Sequence, residues 1–411
     1  MKYIIFLGDG MSDEPIEALG GQTPLMAART PNLDRMARGG HARFGMFVSL
    51  PDAFPTSSDV ANMSVLGYDL KDSYEGRGPL EAASMGIVLA PDEIAMRCNL
   101  VTASDDGRLM DYSGGQVCTE EAAELIEALQ REFGNDDSIR FHVGVSYRNL
   151  LILRGAEFSP DFAYEKPDDH PGDPYGDLLP KARGPRSEKT VALLRRIMLD
   201  SIPLLSAHPV NRARAARGKP PANMAWLWSP GRKPRVEPFV RRYGKTGAII
   251  SAVGVIKGIG VLTGMEVVEV EGATGYIDTN YEGKARAAAD ALRRHDFVFL
   301  HVEAIDEVSH EGNLEMKIKA IEDFDQRLVG AFLDAFGDAD ELACAVLPDH
   351  PVPVAVRKHT RAPVPVMFVH PGAAGDPGGL LYNELDAPKG SLGLLRGDGV
   401  MRTLFQQRPR T

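Results

Sequence analysis

Four short runs, at residues 3–7, 248–251, 296–302 and 342–347, are apolar nearly throughout. Alternation of apolar and polar residues would mark strands wet on one face; continuous apolarity marks strands covered on both. Helical patterns lie between or after these runs, at residues 30–39, 119–133, 284–294 and 313–336, the last with apolar positions three to four apart and mixed charge on its outer face. Strands alternating with helices predict an α/β fold around a mainly parallel sheet. The opening MKYIIFLGDGM has five apolar residues before Gly8 and Asp9, too few for a secretion signal, and reads as the first strand. No run approaches the roughly 18 apolar residues of a membrane span. Cys98, Cys118 and Cys344 are too scattered for a disulfide framework or a cysteine-based zinc site, so a cytoplasmic protein is expected.

The 411 residues exceed one ordinary domain of roughly 150. Residues 159–185 are rich in Pro, Gly and Asp, and a Pro- and Arg-rich stretch follows at 207–238. The expected organisation is therefore a discontinuous core, 1–105 plus 215–411, interrupted by an insert at 106–214. Net charge is −11, yet residues 181–245 hold 16 Lys/Arg against three acids. With no aromatic interleaving and no nucleic-acid motif, that patch fits a small anionic substrate better than nucleic acid.

Chemistry follows the apolar strands. The first ends in Gly8-Asp9-Gly10; residues 296–302 run into Asp306 and His310; residues 342–347 run into Asp349 and His350, with His359 nine residues beyond. Open α/β sheets bind ligands beyond the carboxyl ends of their strands. Asp306 and His310 share a face if that segment is helical. Carboxylates with imidazoles suit Mn²⁺ or Zn²⁺, and Mg²⁺ less well. A lone Asp there is ordinarily a cap or turn residue, and a lone His a satisfied polar group; three such clusters together make a metal site as good a reading as those ordinary roles. Ser58, in a loop entering a helix, stands where backbone N–H groups favour an alkoxide or phosphate, although Ser57 or Ser58 would also serve simply as an N-cap.

The stretches FLGDGMSD, TPNLDRMA, SSDVANMSVLGYD, YEGRGPLEAASMGI, RCNLVT, GVSYRNLL, HPVN with PPAN, GATGYIDTNYEGKA, HVEAIDEVSHEGN and LPDHPVPV with KHT resemble, in order and over most of the chain, the archaeal-type 2,3-bisphosphoglycerate-independent phosphoglycerate mutases of the alkaline phosphatase superfamily. The resemblance implies an alkaline-phosphatase-like, mainly parallel sheet core flanked by helices, with an inserted α+β lid domain. It implies two divalent metal ions, Mn²⁺ first, and no 2,3-bisphosphoglycerate. Ser58 would take up the phosphoryl group. One ion would be held by Asp9, Ser58, Asp349 and His350, the other by Asp306, His310 and His359. His142, Arg148, Asp169, His170 and Arg214 would face a small phosphorylated substrate from the insert, with Arg77 and Lys257 on the core side. Ser57 stands where the family commonly has Gly, and PDHPVPV departs from the common mutase wording. Together with SSDVANMSVLGYDL and TNYEGKA, PDHPVPV resembles a bacterial branch of the family in which homoserine kinases have been proposed. The expected activity is the interconversion of 3-phosphoglycerate and 2-phosphoglycerate through a phosphoserine; a homoserine kinase using the same serine and metals, or a metal-dependent phosphohydrolase, stands as the alternative.

Overall fold

The computed structural model describes residues 1–135, 137–337 and 339–406, which form two compact units: 1–74 with 235–406, and 75–234. The first unit is built on an eight-stranded sheet. Its strands, in spatial order, are Glu266–Val267, Gly247–Ile250, Phe297–Val302, Lys2–Gly8, Leu342–Leu347, Val364–Val369, Ala42–Phe47 and Gly393–Leu395. All neighbouring pairs are parallel except the two made by Val364–Val369. The mainly parallel α/β sheet expected from the apolar runs is present, and all four runs are strands in it.

Both faces of this sheet are dry, as continuous apolarity requires. Alternate residues Ile4, Phe6, Val298, Leu300, Cys344 and Val346 pack with Leu292, Phe324, Leu328 and Phe332 from the helices. On the other face, Tyr3 and Phe297 join Phe239, Tyr243 and Phe405 in a stacked and edge-on aromatic group. Burying each such side chain contributes about 1.5–3 kcal/mol. The helical pattern at 313–336 is Leu314–Asp323 and Ala331–Phe336, joined by a wider, π-helical stretch at Phe324–Gly330.

The second unit is α+β. Strand Glu93–Ala103, buried along all 11 residues, pairs antiparallel with Arg148–Arg154, Met224–Gly231 and Leu109–Asp111, and Ile139–Val145 pairs with Arg148–Arg154. Helices Thr119–Phe133 and Pro185–Ser206 pack on this sheet through Leu125, Leu129, Leu194 and Ile197. The unit's limits, 75 and 234, are wider than the 106–214 read from composition, because Glu93–Ala103 and Met224–Gly231 lie outside that range and join the unit by pairing.

Candidate active site

Three neighbouring parallel strands of the first unit deliver the candidate ligands. Lys2–Gly8 ends at Asp9, Phe297–Val302 at Glu303, and Leu342–Leu347 at Asp349 and His350. Gly10 has φ +65°, and a Cβ there would stand 2.7 Å from the Asp306 backbone, so only glycine lets the first loop pass this close. Lys317, fully buried, binds Asp13 Oδ2 at 2.8 Å, the Val352 carbonyl at 2.9 Å and the Ser12 carbonyl at 3.3 Å, tying the first loop to the Asp349 loop. Arg361 holds the carbonyls of Pro51 and Phe54 at 2.8 and 2.6 Å and so pins the loop that precedes Ser58.

Ser58 opens the helix Ser58–Val65, and its Oγ lies 3.2 Å from His350 Nε2. The same Nε2 is 3.4 Å from Asp9 Oδ1 and 3.3 Å from Asp349 Oδ2. Asn62, absent from the expected site, donates to both the Ser58 carbonyl (2.7 Å) and Asp349 Oδ2 (2.8 Å). Ser57 is the residue before the helix; its hydroxyl caps nothing and lies buried without a hydrogen bond. The second group forms as the i, i+4 spacing predicts: Asp306 and His310 sit on the helix Ala304–His310, with Oδ2 to Nε2 3.3 Å. His359 Nε2 lies 3.0 Å from His310 Nε2 and 3.7 Å from Asp306 Oδ1, and its ring stacks on His350 at 3.8 Å between centroids. The structure thus brings together Asp9, Ser58, Asp306, His310, Asp349, His350 and His359.

The electrostatics of this cluster call for positive charge. Burial and the neighbouring Asp349, Glu303 and Asp306 hold the Asp9 carboxyl well above the usual range, and burial raises Asp349. Burial and Asp306 push Glu303 up to about 8. Asp306 alone is held down: burial opposes, but His310, His359 and His350 outweigh it. Asp9 Oδ1, Asp306 Oδ1 and His350 Nδ1 are buried without hydrogen bonds. Lone pairs of Asp306, His350 and His359, and of Asp9, Asp349 and His350, converge to within 4.8 Å in each group. Oxygen and imidazole donors so placed fit divalent cations.

Three further residues here escaped the sequence reading. His301, Glu303 and Lys284 are polar residues in otherwise apolar or helical patterns, a signal that periodicity alone passes over. Lys284 is fully buried with Nζ 3.5 Å from the His301 carbonyl, and burial pushes it down to about 8. Lys257, by contrast, pairs with Glu269 at 2.5 Å.

The expected substrate residues that fall in the second unit separate into groups; Arg77, expected on the core side, is among them, since its helix Arg77–Ser84 packs on the second unit's sheet. Arg77 Nε binds Glu81 at 2.9 Å, and Glu81 also takes buried Arg97, whose guanidinium lies 5.3 Å over the Trp228 ring. Arg148 stacks at 4.8 Å on Tyr147, and its charge reaches Arg97. Asp168, not Asp169, turns toward this basic group. Burial opposes its ionisation, but Lys166, Arg97 and Arg77 hold its carboxyl low. Asp168 Oδ1 is buried without a hydrogen bond, whereas Asp169 is exposed. His170 bonds Asp173 at 2.9 Å, and His142 is half-buried on Ile139–Val145 with Nε2 lacking a hydrogen bond. Arg214 is fully buried, bound to the carbonyls of Pro220 (3.0 Å), Gly114 (2.6 Å) and Gly115 (2.9 Å) and paired with Glu121, a set that ties loop to helix. Arg214→Leu is therefore expected to lower the unit's stability by about 3–5 kcal/mol, measured by urea unfolding, while KM of the folded fraction stays unchanged; an altered KM at unchanged stability would restore the substrate role.

A serine hydroxyl set among carboxylates and imidazoles beyond the strand ends of an α/β sheet defines a metal-dependent enzyme of the phosphoryl-transfer kind. The family model for 2,3-bisphosphoglycerate-independent phosphoglycerate mutase matches residues 40–211. The proteins of that description from Methanosarcina barkeri and Methanothermobacter thermautotrophicus are 46% and 43% identical over 407 and 410 residues, covering 99% and 100% of this chain and 100% and 98% of theirs. A solved structure from Pyrococcus horikoshii is 28% identical with a TM-score of 0.81, covering 100% of this chain and 98% of the other. The cofactor-independent phosphoglycerate mutase from Thermoplasma acidophilum is 30% identical with a TM-score of 0.64, covering 99% of each. The chain belongs to the 2,3-bisphosphoglycerate-independent phosphoglycerate mutase family. Among the described residues no helix is long and apolar enough to cross a membrane.

Proposed function

We propose that this chain interconverts 3-phosphoglycerate and 2-phosphoglycerate through a phosphoryl group carried on Ser58. The observation that carries the reading is the placement of Ser58 Oγ, 3.2 Å from His350 Nε2 at the start of a helix whose second turn, through Asn62, also grips Asp349. Asp9, Ser58, Asp349 and His350 would hold one divalent cation and Asp306, His310 and His359 the other, with Mn²⁺ the best match to this mix of donors. When bound, such cations lower the pKa of the serine hydroxyl and offset charge on the phosphoryl oxygens.

The residues then divide the work. Ser58 Oγ attacks phosphorus; the bond from phosphorus to the substrate's O3 breaks, and the proton lost by Ser58 is returned to O3. The glycerate turns without leaving, and its O2 takes the phosphoryl group from Ser58 as its own proton passes back to the serine. Backbone N–H groups at the start of Ser58–Val65 stabilise the anionic oxygens. Arg77, Arg97, Arg148 and Lys166 supply the cations that a carboxylate and a phosphate need together, Arg side chains being suited to bidentate contact. Asp168 Oδ1 offers an acceptor for a substrate hydroxyl. A phosphoserine intermediate survives only where water is excluded from it.

The test is a paired assay on purified protein with Mn²⁺. One arm couples 3-phosphoglycerate through enolase to phosphoenolpyruvate, with no 2,3-bisphosphoglycerate; the other follows ADP release from ATP and L-homoserine. Turnover is expected in the first arm and abolished by EDTA. Turnover in the second alone would overturn the substrate while keeping the serine and its cations. Net release of inorganic phosphate from phosphoglycerate would make the chain a hydrolase.

A further inference from the structure

His301 interrupts the apolar strand Phe297–Val302 and is fully buried. Its Nε2 lies 3.0 Å from Asp9 Oδ2 and its Nδ1 lies 3.1 Å from Ser251 Oγ, at the end of the neighbouring strand Gly247–Ile250. Ser251 Oγ in turn accepts from the Val253 N–H at 3.0 Å. The directions of these bonds follow from what each group can do. An ionised Asp9 only accepts, so His301 Nε2 carries a hydrogen and donates. The neutral ring then presents Nδ1 as an acceptor, and the Ser251 hydroxyl donates to it. One oxygen of Asp9 is thereby fixed, leaving Oδ1, which accepts no hydrogen bond, 3.4 Å from His350 Nε2.

We propose that His301, its ring held in place by Ser251, is a positioning residue that holds Asp9 with Oδ1 presented to the cation shared with Ser58, Asp349 and His350. The proposal rests on the two-cation reading of the site given above. A ligating carboxylate needs such an outer partner, since a free carboxylate would lose rotational freedom on binding and turn away from the ion. The same atoms admit a competing arrangement, because Asp9, His301 and Glu303 converge to within 4.8 Å and would also suit a third cation. Lys284 argues against it. Its ammonium lies 3.5 Å from the His301 carbonyl and acts electrostatically on both Glu303 and His301, so positive charge is already built into that side of the cluster.

The test is Mn²⁺ binding to the full chain by equilibrium dialysis with elemental analysis, on wild type, His301→Leu, His301→Gln and Ser251→Ala. Wild type is expected to bind two ions. His301→Leu should weaken one of them by about 10–100-fold and leave the other unchanged. His301→Gln, whose amide nitrogen reaches about as far as Nε2 and keeps the donor, should recover most of that loss, and Ser251→Ala should fall between. Turnover should follow occupancy of the weakened ion, with KM for substrate unchanged. Wild-type binding by His301→Leu would overturn the positioning role, as would three ions in wild type with one lost on replacing His301. If the leucine variant fails to fold, the glutamine and Ser251→Ala titrations decide, since equal and unaltered affinities in both would also overturn it. A wild type that binds no Mn²⁺ would overturn the two-cation reading itself, a failure distinct from two tight ions indifferent to His301.

Discussion

Ser58→Ala is expected to reduce turnover on the order of 10⁴–10⁶-fold, the range seen when a nucleophile is removed from an intact site. The fold should survive. Ser58 is the first residue of its helix, where alanine is well tolerated, and the bond that Asn62 makes is to the Ser58 backbone carbonyl, which the substitution keeps. Cation binding should weaken but persist, because Asp9, Asp349 and His350 remain. Ser57→Ala is the control. That hydroxyl is buried without a hydrogen bond and caps no helix N–H, so its loss should leave turnover within a few-fold. The measurement pairs the enolase-coupled rate with intact-mass spectrometry of enzyme quenched during turnover. A phosphoryl adduct is expected in wild type and Ser57→Ala, and none in Ser58→Ala. The reverse pattern would make Ser57 the nucleophile and remove the argument from the His350 contact.

The parts of this site that were legible in the sequence are those that follow the ends of apolar strands. A parallel sheet aligns those ends, so Asp9, Asp349 and His350 meet although they lie some 340 residues apart. The four-residue spacing of Asp306 and His310 likewise became a shared helix face. Polar residues inside a strand or helix carry no such mark. His301, Lys284 and Asn62 acquire their roles from neighbours supplied by other elements, and the period of the chain around them is unaltered. Arg214, which the resemblance sets facing the substrate, is likewise held by carbonyls of a loop distant in the chain, partners that only the fold supplies. Composition also did not mark the edges of the second unit, since Glu93–Ala103 lies ahead of the Pro-rich stretches and only its pairing assigns it. Asp168 and Asp169 are adjacent acids that sequence could not tell apart, and it is the basic surroundings of one that distinguish them.

Removing divalent cations with EDTA is expected to abolish turnover and to lower the melting temperature, and the size of the second effect should grow with pH. In the stripped protein Asp9 and Asp349 keep protons above the usual carboxylate range and Glu303 titrates at about 8. A carboxyl whose folded pKa exceeds its unfolded value retains a proton that the unfolded chain has released. Stability of the chelated protein should therefore fall as pH rises from about 4.5 toward 8. Asp306 is shifted the other way, and its contribution is lost only as pH falls into strong acid. Cation binding demands the deprotonated groups and releases their protons, so it is weakest in acid and strongest where the stripped site is least stable. With each of two ions at 100 times its dissociation constant, the gain is about 2.7 kcal/mol per ion. Differential scanning calorimetry with and without Mn²⁺ should show a larger upward shift at pH 8 than at pH 6, and calorimetric titration in buffers of different ionisation heat should show proton release. A shift independent of pH would mean that the buried carboxylates are not the groups the cations meet. The stability of the first unit and its chemistry thus depend on the same charges: the carboxylates that repel one another in the stripped protein are those that hold the ions beside Ser58.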